Sequence, residues 1–177
     1  ADYMQVFQNI PGLSIHKIGV CPVPEKNEIH IVVMPNSTAT FPRLSDIYRR
    51  EISRYLEHCR MLTTKIVLEP PVYVPIHVNG TVLVKKHSVY NRGQITEQIK
   101  QTLTKLLDGI HSDVPFGSRI VFYDLYRCLE SMDCVEEVIE LSVFPQHYRW
   151  AQKEGLDIQL HANALYFPGN LQIESVG

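Results

Sequence analysis

Apolar residues along this chain switch between a helical and a strand period, and the switches mark its elements. Tyr3, Val6, Phe7 and Ile10 recur at helical spacing behind Asp2, a residue suited to cap a helix start, and Pro11-Gly12 ends the run. Leu13, Ile15 and, less regularly, Ile18 and Val20 predict a strand. A proline-containing turn over Cys21–Asn27 follows. The β-branched run Glu28–Met34 predicts a buried strand, with antiparallel pairing to its predecessor the simple expectation. After a polar connection from Pro35 to Pro42, Leu44–Met61 is the clearest helix. Leu44, Ile47, Tyr48, Ile52, Tyr55, Leu56 and Cys59 make its apolar face, and Arg49, Arg50, Glu51, Arg54, Glu57 and Arg60 the other.

Thr63–Leu68 predicts a strand that Pro70-Pro71 breaks. Val72–Lys85 is a long extended run alternating at Val74, Ile76 and Val78, with Gly80 marking a bulge or a close contact. Asn91 is a good cap for a helix carrying Ile95, Ile99, Leu103, Leu106 and Leu107, which Gly109 ends. The chain then makes a turn at Pro115-Phe116-Gly117, whose Phe116 can plug a core edge. A short strand Arg119–Phe122, a helix Asp124–Ser131 with Leu125, Cys128, Leu129 and Met132 inward, and a strand Val135–Phe144 follow. Gln146–Glu154 is polar and carries no clear period. Leu156–Leu160 and Leu171–Ser175 predict weak strands around a Pro168-Gly169 turn.

The segments beginning at Asp2 and Asp124 share a plan: an Asp, about two helical turns, a break, then a strand. Phe7 corresponds to Leu129, Ile10 to Met132 and Leu13 to Val135. The order of elements predicts an α+β protein of two small α/β sandwich units, with helices packed on mainly antiparallel sheets. The expected division is residues 1–70 as the first unit, and residues 71–177, including the C-terminal strands, as the second.

Bulk properties narrow the function more than the fold. The chain has 177 residues, 45% hydrophobic and 20% charged, which is ordinary globular material needing no staples. A net charge of −2 gives no electrostatic footprint for nucleic acid or an anionic membrane. No apolar run approaches the ~20 residues of a membrane-spanning helix. The opening ADYMQVFQ has no signal-peptide pattern and no initiator Met, so a fragment of a longer chain is the expectation. Cys21, Cys59, Cys128 and Cys134 include no CxxC pair and are expected to be reduced, in a cytosolic protein.

Candidate chemistry is thin. The eight histidines (His16, His30, His58, His77, His87, His111, His147 and His161) include no HxH or HExxH spacing and no Cys/His cluster, and read as satisfied core or surface residues. Cys128 lies within a helix rather than at an N-terminus that would activate it as a nucleophile. Glu136 and Glu140 sit on one predicted strand and share a face, about 13 Å apart by strand rise, too far for a glycosidase pair. There is no glycine-rich phosphate loop. PFGSRIVF lacks the alternating aromatics and flanking cations of an RNA-binding sheet. The arginines of the second helix are diluted by Glu51 and Glu57. No catalytic, cofactor-binding or metal-ligating residue is expected.

Four stretches carry a family resemblance. DYMQVFQNIPGL, YLEHCRMLTTKIVLEPPVYVPIHVNGTVLV, VPFGSRIVFYDLYRCLESMDCVEEVIEL and GLDIQLHANALYFPGNLQIESV resemble, in order, successive motifs of the C-terminal part of baseplate J-like proteins of contractile phage tails and related injection systems. Pro11, Gly12, Pro115, Phe116, Gly117, Asp124 and Leu125 are the motif positions this resemblance marks as structural. Two departures stand out. Tyr123 replaces the usual small capping residue before Asp124, so that helix is expected to start by another device. Cys134-Val135 stands where the family often has Gly-Val.

The resemblance implies a structural wedge protein of the tail baseplate, not an enzyme, assembled in the bacterial cytoplasm and located in the virion. It implies partners among other baseplate wedge and hub proteins and further copies of itself, with no nucleic acid, membrane, small-molecule substrate or cofactor. The expected contact surfaces are the strand Val72–Val84, if it is an edge, and the tail Ala162–Gly169. The alternative is a ligand-binding or regulatory α/β sandwich, which requires a concave polar pocket. A histidine-based hydrolase or metal enzyme and an RNA-binding sheet are further readings.

Overall fold

The computed structural model describes residues 3–59 and 63–177, without the side chains of residues 3, 4, 6 and 59. The expected Asp2 cap, the Tyr3 and Val6 stripe positions, the Cys59 thiol, Arg60 and the helix end at Met61 fall outside the described residues. The class is α+β, and its sheets are mixed. The chain divides into two compact units. One comprises Ala1–Val72 with Pro115–Gly117 and Ala162–Ala164; the other comprises Tyr73–Val114, Ser118–His161 and Leu165–Gly177.

The first unit contains α1 (Tyr3–Gln8), β1 (Ile15–Val23), β2 (Glu28–Pro35), α2 (Asp46–Cys59) and β3 (Lys65–Glu69), with sheet order β1-β2-β3. β1 and β2 form the expected antiparallel hairpin, from Val23 opposite Glu28 to Ile15 opposite Pro35. Asn27, at φ 52°, turns the corner. β3 pairs parallel to β2, and this is where the sheet departs from antiparallel pairing. A parallel neighbour needs a long crossover, and the stretch containing α2 provides it. One sheet face sends Ile31 and Val33 into a core with Phe7, Ile10, Ile52 and Leu56, and Ile29, Ile66 and Leu68 pack against it. Ile47, expected inward, is 72% exposed, so the buried face of α2 is narrower than its apolar spacing. Val32 and Met34 on the opposite face are buried too. There Phe116 lies over Gly19: a Cβ at residue 19 would come within 3.1 Å of the Phe116 Cβ and 2.8 Å of a Val32 methyl.

In the second unit β4 (Val72–Val84, entering from the first unit), β6 (Val135–Pro145) and β9 (Ala164–Val176) form one sheet in the order β6-β4-β9. β4 and β6 are antiparallel, with irregularities where Glu136 and Ile139 have no partner on β4. Beside β4, Gly169 lies against Ile76, Ile173 against Gly80 and Gly177 against Val84, so β9 runs in the same direction as β4. β5 (Arg119–Ile120), β8 (Asp157–Leu160) and β7 (Ala151–Glu154) form a second, antiparallel sheet in that order. α3 (Arg92–Leu106) buries Ile95, Ile99 and Leu103, and Leu107 just beyond it, while Leu106, expected inward, is exposed. α4 (Phe122–Glu130) buries Leu125 and Leu129.

Three sequence expectations are corrected here. β5 ends at Ile120, and α4 begins at Phe122 rather than Asp124. β9 runs unbroken through Pro168-Gly169, so no turn stands there. Gly169 serves proximity instead: a Cβ at that position would meet the His77 ring at 2.6 Å and the Ile76 carbonyl oxygen at 3.0 Å. Finally, the irregularities in β6 break its period-2 phase. Glu137 and Glu140, opposite Leu83 and Thr81, now share a face, rather than Glu136 and Glu140.

Candidate assembly surfaces and their polar clusters

The seven motif residues sit at three places in the chain, Pro11-Gly12 and Pro115–Gly117 in the first unit and Asp124-Leu125 in the second. Ile10 accepts from the Leu13 N–H at 3.2 Å across Pro11-Gly12, with Gly12 at φ 78°, the geometry of a type II turn. The Tyr48 hydroxyl on α2 donates to the Gly12 carbonyl at 2.9 Å, so the turn is tied to the helix its unit packs. Pro115 is exposed and Phe116 half-buried; Gly117, at φ 75°, donates its N–H to the Ala164 carbonyl at 3.1 Å. Asp124 is exposed in the first turn of α4, where a negative charge suits the helix dipole, and Leu125 is buried.

The start of α4 was marked in the sequence as needing an unusual device, and the fold provides one. Val121 precedes the helix without a side-chain cap. The Asp157 carboxylate, from β8, accepts the Phe122 N–H at 2.9 Å. That backbone hydrogen bond, followed by the Arg119 side chain, holds the Asp157 carboxyl below its ordinary range. Arg119 donates from Nε to Asp157 at 3.1 Å and from Nη1 to Glu154. These two carboxylates, Glu154 first, push the guanidinium pKa higher still. The cluster is a cap and strand tie. Three aromatics line the same turn, with Phe122 and Tyr123 each packed on Tyr126 and Tyr123 exposed.

Of the two expected contact surfaces, the first is corrected and the second is narrowed to Ala162, Asn163 and Phe167–Gly169, which keep some exposure. β4 is the central strand of its sheet, flanked by β6 and β9, so it offers no edge. In the tail, Ala164, Leu165 and Tyr166 are buried, and the Gly109 N–H donates to the Tyr166 carbonyl at 3.0 Å. The terminal strands are β1 and β3 in one sheet, β6 and β9 in the next, and β5 and β7 in the third. β6 carries Glu136, Glu137 and Glu140 on its exposed positions and two irregularities, the features that discourage strand addition. A cleft of about 550 Å³ in the second unit is lined by Lys85, Lys86, His87, Asp133 and Glu136 among others, with both charge signs interspersed.

The histidines are scattered, and among the described residues no group of three or more His, Cys, Asp or Glu is placed to hold a metal ion. His77 accepts the Asn170 N–H at Nδ1 (2.8 Å) and packs on Phe144; His161 meets Trp150 edge-on. His30 bridges two carboxylates, an arrangement no spacing motif announced, because Glu69 reaches it from another strand. Cys21, Cys128 and Cys134 are free thiols. No helix among the described residues is long and apolar enough to cross a membrane, which says nothing of β-barrels.

The fold has a solved counterpart. This chain is similar to a chain in the six-fold-symmetrised cryo-EM structure of the anti-feeding prophage baseplate, with a TM-score of 0.66 and 16% sequence identity. The match covers 96% of this chain and 36% of that one, so this chain spans about a third of its counterpart's length. At that identity the likeness is one of fold. No family model matches the sequence, and no curated protein matches it.

Proposed function

We propose that this chain is a structural component of the baseplate of a contractile phage tail or related injection system, and specifically the C-terminal portion of a baseplate J-like wedge protein. The observation that carries the reading is the fold likeness to a baseplate chain over 96% of this chain's length. The ordered motifs from DYMQVFQNIPGL to the C-terminal strands support the finer family assignment. The function proposed is mechanical: two small α+β units present surfaces to other wedge and hub proteins and to further copies of the same protein. The reading places it in the tail baseplate after assembly in the bacterial cytoplasm, without a catalytic step, cofactor, nucleic acid or membrane.

The polar clusters support this reading because each is spent on the fold. Asp157 caps α4, Arg119 ties β5 to β7 and β8, and Tyr48 holds the Gly12 turn. The test is a pull-down of the full-length parent protein from cells shown to be making tails. Recovery of sheath, tube or wedge proteins is expected. Recovery of the protein alone, or with RNA or a small molecule, would overturn the baseplate reading and favour a ligand-binding or regulatory domain.

A further inference from the structure

His30 stands on β2 with a carboxylate at each ring nitrogen. Nδ1 is 2.6 Å from Glu69 Oε1 on β3, and Nε2 is 2.8 Å from Glu28 Oε2 on its own strand. A neutral imidazole has one N–H, so it can donate to only one of them. Ionised carboxylates accept only, and both bonds therefore require the doubly protonated ring. The position of the cluster gives this chemistry a mechanical meaning. β3 is a terminal strand of five residues whose partner in the sheet is β2. Its start is fastened by the Lys65 N–H, which donates to the Asn27 carbonyl at 3.1 Å, and by the Asn27 side chain, which donates to the Thr63 carbonyl. Its end runs into Pro70-Pro71, which have no N–H with which to extend the ladder. Glu69 is the last residue of that ladder, opposite Val32.

We infer that Glu28, His30 and Glu69 form a proton-operated clamp that fastens the end of edge strand β3 to β2. With the ring protonated, both carboxylates are held. When the ring loses a proton, one carboxylate loses its donor and the end of β3 loosens. Other groups on the same sheet face set the background: Lys65 on β3, Lys26 in the turn before β2, and Cys21 and Lys17 on β1, in register with His30 and Met34. The segment Pro115–Gly117, which covers Val32 and Gly19 on this face, contributes no titratable side chain.

The hydrogen bond to Glu28 does most to raise the His30 pKa above its ordinary 6.5; burial opposes it, and the bond to Glu69 and the charges of both carboxylates add to the rise. A raised folded value means the clamp is complete below 6.5 and is lost as pH rises through that higher value. Glu28 sets the opposite limb. Its bond to His30 lowers its pKa below 4.5, so its contribution is present above 4.5 and lost as pH falls through the lower value.

The test is NMR of the intact chain across neutral pH, reading the His30 ring nitrogens together with amide exchange in β3. Two protonated ring nitrogens below the transition and a midpoint above the ordinary histidine value are expected. Protection of β3 relative to β4 should fall at the same midpoint. A single-tautomer neutral ring at pH 6.5, or β3 protection that ignores the ring's titration, would overturn the inference. Glu69→Gln keeps the shape, removes the charge and sits at a half-exposed site. It should lower the His30 midpoint and flatten the pH dependence of β3 protection, and an unchanged midpoint would equally overturn it.

Discussion

The passages α1-to-β1 and α4-to-β6 are the same device built from different residues. In each a short helix buries one large side chain completely, Phe7 in the first and Leu129 in the second. In each, two successive backbone hydrogen bonds carry the chain out of the helix: Ile10 to Phe7 (3.1 Å) and Leu13 to Ile10 (3.2 Å), against Met132 to Leu129 (3.2 Å) and Val135 to Met132 (3.0 Å). The positions match those read from the spacing of the two segments. The turns between them do not match. Gly12 adopts φ 78°, where a side chain is strained, and a Cβ there would lie 2.7 Å from the Tyr48 hydroxyl. Its equivalent, Cys134, is not among the residues with positive φ. The device therefore requires the buried anchor and the two hydrogen bonds, while the turn type follows local surroundings. This explains why Cys can stand where the resembling family often has Gly.

The anchors should show the largest effects. Phe7→Ala is expected to cost about 3–5 kcal/mol and Leu129→Ala about 2–5 kcal/mol in equilibrium urea unfolding, through lost burial and the cavity left behind. A near-neutral result for either would break the equivalence of the two passages. Next is the turn. Gly12→Ala should cost about 1–2 kcal/mol from the left-handed backbone alone, before any displacement of Tyr48. The same residue placed at Cys134 should cost about 1 kcal/mol or less, since no such strain exists there. Equal losses at the two positions would remove the distinction. Tyr48→Phe takes away the donor to the Gly12 carbonyl and should cost about 0.5–1 kcal/mol, the low end for one exposed hydrogen bond.

The smallest effect tests the start of α4 by pH. Asp157 has a lowered folded pKa, so its contribution is present above its ordinary 3.8 and is lost as pH falls through the folded value. Asp157→Asn should lower the melting temperature slightly at neutral pH and flatten its fall toward acid, the two chains converging once the carboxyl of the parent is protonated. An acid limb identical to that of the parent chain would mean that the carboxylate charge does not support α4.

How legible each feature was depends on how far apart its parts lie in sequence. The α3 start was readable: Asn91 accepts the Gln94 N–H at 2.8 Å, and Gln94 returns a bond to the Asn91 N–H, a box closed within four residues. The α4 start could be read only as a gap, because the group that fills it lies 35 residues downstream. Period-2 counting failed along β6, where two unpaired residues shift the phase without any glycine or proline to announce them. It failed differently at Pro168-Gly169, where a turn-like dipeptide lies inside a strand because a histidine ring and a carbonyl oxygen come close. Apolar spacing also overstated burial: Ile47 and Leu106 lie at the margins of their helix faces and remain exposed.

The sequence by itself determined most of the elements, though not β7 or the full length of β9, together with the α+β class, the buried anchors and the repeated helix–turn–strand passage. All of these depend on side-chain period and on hydrogen bonds between near neighbours. Only the tertiary structure decided that β3 pairs parallel to β2, that β4 is a central strand, that Asp157 caps a helix it does not adjoin, and that His30 lies between two carboxylates. Strand order and the meeting of distant polar groups are set by how whole apolar faces are buried together. Near-neighbour periodicity identifies such a face but does not specify the face it meets.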